Sequence, residues 1–61
     1  MIYLTDVPSQ RKVALNPDHI IAVFVIADGD YAGKTGINLS NGSIVVEEQD
    51  FDVVAMINNN G

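Results

Sequence analysis

The chain has no cysteine, no tryptophan, one histidine and only three basic residues among its 61. Without cysteine there is no disulfide and no thiolate metal site, and a single histidine leaves no plausible zinc ligand set. Arg11, Lys12 and Lys34 face eight acidic residues, giving a net charge of −5. A nucleic-acid binder neutralises phosphates with a basic footprint, so no nucleic-acid partner is expected. Mimicry of DNA by an acidic surface is disfavoured too, because half of the carboxylates cluster within residues 47–52. No apolar run approaches the roughly 20 residues of a membrane span, and Met1 is not followed by a basic segment and a long apolar one. These absences together lead to the expectation of a soluble, cytoplasmic protein without membrane insertion.

What the chain does have is an unbroken apolar run, Ile20-Ile21-Ala22-Val23-Phe24-Val25-Ile26-Ala27. A strand with one face in a core alternates apolar and polar residues, whereas a strand covered on both faces reads as a continuous run. Simple alternation would put Ile20, Ala22, Phe24 and Ile26 on one side and Ile21, Val23 and Val25 on the other. A domain near 60 residues buries only about 60% of its unfolded surface and usually needs disulfides, metal or oligomerisation for support. With the first two absent, the run predicts that a second copy or another protein covers one side.

Around this run the sequence predicts an α+β, mainly β domain, residues 1–61. It comprises a small antiparallel sheet of four to five strands, one C-terminal helix, and assembly as an oligomer. Ile2-Tyr3-Leu4-Thr5 reads as a strand closed by the turn-forming Asp6-Val7-Pro8-Ser9. Residues 11–15 alternate as a half-exposed hairpin partner, and Asn16-Pro17-Asp18 breaks them from the central run. Residues 28–36 form a polar, glycine-rich connector. Asn41-Gly42 predicts a type I′ hairpin with Leu39 opposite Ile44, Ile37 opposite Val46, and Asn38 facing Val45. From Gln49 onward the period becomes helical: Phe51, Val54, Ala55 and Asn58 share one face, and Val53, Met56 and Ile57 the next. Glu47, Glu48, Asp50 and Asp52 suit the positive end of that helix. Residues 57–61 read as a stop or a frayed tail.

No catalytic constellation is visible, and the chain is read as a non-enzyme without metal or cofactor. The stretch Gly29-Asp30-Tyr31-Ala32-Gly33-Lys34-Thr35 superficially resembles a phosphate-binding loop. It has one residue too few between its glycine and Gly-Lys-Thr, and it leads into a strand rather than a helix. A weaker role remains: Asp30, Tyr31, Lys34 and Thr35 are the candidate contacts for a small anionic ligand such as a nucleotide. His19 and Ser40 have no partner within local reach in the sequence. Ile21, Val23, Phe24, Val25, Val53, Met56 and Ile57 are the candidate residues for contact with a second copy or a partner.

Taken in order, Met1-Ile2-x-Leu4-Thr5, Leu15-Asn16-Pro17-Asp18-His19-Ile20, Leu39-Ser40-Asn41-Gly42, Val45-Val46-Glu47-Glu48 and Val53, Val54 and Ile57 resemble the FlbD-type family of small bacterial flagellar and swarming motility proteins. The connector at 28–36 is longer and richer in glycine than that family's, and this chain is more acidic. The resemblance implies a small cytoplasmic interaction or adaptor protein that acts through protein contacts as a homo-oligomer. The alternative is an oligomeric binder that sequesters a small anionic ligand, of phage or mobile-element type, through the 28–36 loop.

Overall fold

Short alternating segments pair with their sequence neighbours throughout the computed structural model, which describes residues 1–60. Strand β1 (Ile2–Thr5) and strand β2 (Lys12–Leu15) form an antiparallel pair; a 3-10 turn (Pro17–His19) leads to β3 (Ile20–Val25). Strands β4 (Thr35–Leu39) and β5 (Gly42–Val46) complete a second, three-stranded antiparallel sheet in the order β3-β4-β5, followed by helix α1 (Asp50–Asn60). The sheets are stitched at one corner by an Asp6–Val46 bridge, with Val7 N–H donating to Val45 O and Glu47 N–H to Thr5 O, both at 2.9 Å.

Alternation decides which residues meet between the sheets. Ile2 lies opposite Leu15 and Leu4 opposite Val13, so one face of the first sheet is apolar. It packs on Ile37 and Val46 of the second, and Val53 of α1 closes the gap. Ile2, Leu4, Ile37, Val46 and Val53 are the buried apolar core, rimmed by Val13, Leu15, Ile20, Val23, Leu39, Ile44, Met56 and Ile57.

The five strands form two sheets where the sequence predicts one, because β2 leads into β3 through the 3-10 turn without pairing with it. Two local features depart from the sequence reading as well. The β4–β5 hairpin turns through Ser40-Asn41, so Leu39 pairs with Gly42 and Ile37 with Ile44, two residues away from the expected register. Neither Ser40 nor Asn41 has a positive φ, so the turn is not type I′; the unusual angle falls on Gly42, at φ 155°. A slip of two residues keeps every side chain on its face, which is why the apolar set Ile37, Leu39, Ile44 and Val46 survives the error. In β3 the register shifts between Ile20 and Ala22. Ile21 is therefore the extra residue of a bulge, and the simple alternation of the central run is broken. Ile20 opposite Leu39 and Val23 opposite Ile37 share the inner face, while Ala22 and Phe24 lie on the outer one.

Helix α1 continues through Asn58 and Asn59 to Asn60, where the sequence suggested a stop or a frayed tail. The part of that expectation that falls on Gly61 lies outside the described residues.

Candidate functional site

Among the described residues five apolar ones are buried, yet eight large ones are exposed: Met1, Tyr3, Ile21, Phe24, Val25, Tyr31, Phe51 and Val54. The total accessible surface of 3949 Å² is close to the roughly 3,900 Å² expected for a monomer of this mass. The surface is thus ordinary in extent and unusual in what occupies it.

Strand β3 concentrates that surface. It lies at the end of its sheet and pairs only with β4. Ile21, Val25 and Phe24 are 71%, 53% and 41% exposed, and no charged side chain interrupts Ile20–Val25. Ile26 N–H donates to Lys34 O, so by antiparallel alternation the even-numbered residues of β3 bond to β4. The amides and carbonyls of Val23 and Val25 therefore point to the free edge. The Phe24 ring lies over Gly36, where an added Cβ would sit 2.5 Å from Phe24 Cε2. Glycine here lets an aromatic ring rest on the outer face of the sheet.

The other proposed contact residues fall elsewhere. Val53 is fully buried, and Val23, Met56 and Ile57 pack against the core, so they serve the protomer's own interior. Among the described residues of α1 the large apolar side chains that remain exposed are Phe51 and Val54. Both sides of this helix are apolar, and a period alone does not say which faces in.

The 28–36 loop is self-contained. Ala32 N–H donates to Gly29 O, Gly33 N–H to Ile26 O, and Lys34 N–H to Tyr31 O, with Gly29 and Gly33 at φ 90° and 86°. Three of the loop's amides, those of Ala32, Gly33 and Lys34, are thus already engaged. Lys34 Nζ is 2.7 Å from Glu47 Oε1. Thr35 is buried, opposite Val25 and Val46. Of the four candidate ligand contacts, Asp30 and Tyr31 are the two whose side chains remain exposed without such engagement.

The structure also joins residues that the sequence left apart. Ser40 Oγ lies 3.4 Å from His19 Nδ1 and 3.3 Å from His19 O, beside an open depression of about 410 Å³ lined partly by Leu15, Asn16 and Leu39. The contact is long, and no carboxylate orients the imidazole. It falls short of a nucleophile–base pair. No signal in the sequence brings these positions together, since 21 residues separate them.

Glu47 and Glu48 are structural ties rather than a helix-start cluster. Glu48 Oε1 accepts from Thr5 N at 2.8 Å, Oε2 accepts from Thr5 Oγ1 at 3.0 Å, and Lys12 Nζ lies 3.5 Å away. Glu47 accepts from Lys34 and from Gln10 Nε2, and Gln10 holds a left-handed backbone at φ 60°. Partial burial opposes ionisation of Glu48, but the Thr5 amide, its own backbone amide, the Thr5 hydroxyl and Lys12 outweigh it and lower its pKa. A carboxyl with a lowered native pKa contributes stability that is full above its unfolded value and is lost as pH falls through the native one. Glu48→Ala is expected to cost about 1–3 kcal/mol at neutral pH. Its urea midpoint should converge with the parent's in acid; a deficit that persists unchanged below pH 3 would contradict this role.

Among the described residues no helix is long and apolar enough to cross a membrane, and no group of three His, Cys, Asp or Glu could hold a metal ion. Comparison with family models, with curated proteins and with solved structures found no match for this chain.

Proposed function

We propose that this chain is a small, non-enzymatic cytoplasmic interaction protein that works as a homo-oligomer, with β3 as its contact surface. The observation that carries this reading is the exposure of Ile21, Phe24 and Val25 on an uncharged edge strand. Natural edges are commonly protected by charge, proline or a covering element. Here a bulge at Ile21 and the packing of α1 against β3 are the devices the structure provides, and they leave Ile21, Phe24 and Val25 exposed. The sequence resemblance to FlbD-type motility proteins supplies the setting, an adaptor acting through protein contacts.

The sequestering alternative draws less support, since three of the loop's amides and the Lys34 side chain already have partners. Sedimentation over a dilution series tests the preferred reading, with calorimetry against a nucleotide as the second arm. The expected result is reversible self-association and no heat of nucleotide binding. A monomer at every concentration would overturn the homo-oligomer. Nucleotide binding that Lys34→Ala abolishes would favour the alternative instead.

A further inference from the structure

The geometry points to a specific partner for the edge: the β3 strand of a second copy, antiparallel about a two-fold axis beside Phe24. This inference rests on the homo-oligomer reading and specifies its contact. Outward-facing amides and carbonyls at Val23 and Val25 define the only register that uses both residues symmetrically. Val23 N–H and C=O pair with Val25 of the second copy, and the reciprocal pair repeats across the axis. Phe24 then lies opposite its own symmetry mate, and Ala22 lies opposite Ile26 of the other copy. The result is a continuous six-stranded sheet built from two three-stranded ones.

Three observations favour a second copy as the occupant. The first is charge. Two molecules of net charge −5 repel, and residues 20–27 offer them an apolar edge that carries no ionisable group. The second is self-complementarity, because the two-fold pairing places apolar residues opposite apolar residues at each position from 22 to 26. The third is exposure. Phe24 and Val25, 41% and 53% exposed, lie along the pairable edge and would be covered in part by the second copy. The bulge at Ile21 ends the pairable segment on one side. The turn at Asp28 ends it on the other.

Val25→Pro tests the pairing in the full chain. Proline removes an N–H that faces away from β4 and is tolerated at such edge positions. The variant is expected to fold as the parent does, judged by circular dichroism and melting. It should associate on the order of 100-fold or more weakly, because two partner carbonyls lose their donors. If the parent self-associates and folded Val25→Pro does so equally well, the β3 pairing is overturned while the homo-oligomer stands. If the parent itself stays monomeric, both fall.

A second variant covers the case in which proline unfolds the chain. Ala22→Cys combined with Ile26→Cys, in a protein otherwise free of cysteine, places thiols across the axis at the roughly 4.5 Å Cα spacing of a non-hydrogen-bonded pair. Mild oxidation should give a covalent dimer far faster than Ala14→Cys on the outer face of β2. Equal rates would overturn the pairing.

Discussion

Leu4→Ala is expected to remove a third or more of this domain's stability and to leave a partly unfolded population at room temperature. Leu4 is fully buried at the point where the first sheet meets the second, opposite Val13 and in the same cluster as Ile37, Val46 and Val53. Leucine-to-alanine changes in cores cost about 2–5 kcal/mol, as lost transfer energy plus the cavity left behind. A domain of this size holds only about 3–9 kcal/mol in total at the usual stability per residue. So few buried residues offer little material to collapse into the gap, which argues for the upper part of the range. Urea unfolding followed by circular dichroism measures it. A midpoint close to the parent's would mean that the two sheets do not depend on each other through this side chain.

Phe24→Asp is expected to act on assembly and hardly at all on the fold. From the sequence alone this change threatens both, because the continuous apolar run implies that Phe24 is buried. In the protomer its ring is 41% exposed on the outer sheet face, with Gly36 beneath it. A carboxylate there reaches water, and the fold loses only the contact between the ring and the sheet. In the two-fold pair the same position faces itself. Like charges directly opposite across strands are unfavourable, and a charge desolvated without a partner costs several kcal/mol. Association should weaken by at least about 1,000-fold, with the melting temperature of the dilute protein within a few degrees of the parent's. A variant that keeps the parent's mass would remove Phe24 from the interface. One that unfolds would show instead that the outer face supports the protomer.

Strand and helix locations were legible because each rests on local chemistry: alternation at 2–5 and 11–15, the break at Asn16-Pro17, and the change of period after Gln49. Asn16 does cap the 3-10 turn, its Oδ1 accepting from Asp18 N. The Ser40–Asn41 turn was misplaced because Asn-Gly satisfies more than one two-residue loop, and the choice between them is made by how the strands meet β3 and β1. The bulge at Ile21 was invisible for a different reason. In an all-apolar run, inserting one residue changes no hydrophobic pattern. The contacts that tie down the candidate loop are ones that sequence does not encode locally: Lys34 with Glu47, and the amides of Ala32, Gly33 and Lys34 closing on carbonyls of Gly29, Ile26 and Tyr31. The ties from Glu48 to Thr5 span 43 residues. They were read as part of a helix-start cluster because carboxylates before a helix have a sufficient local explanation.

The most direct test of the paired edge is amide hydrogen exchange at Val23 and Val25, resolved by NMR over a hundredfold range of protein concentration. These amides face away from β4, whereas those of Ala22 and Phe24 bond to it. The account predicts that Ala22 and Phe24 stay protected throughout. Protection at Val23 and Val25 should rise with concentration in step with the dimer mass. Exchange at Val23 and Val25 that stays as fast as in the 28–33 loop at millimolar protein would contradict it.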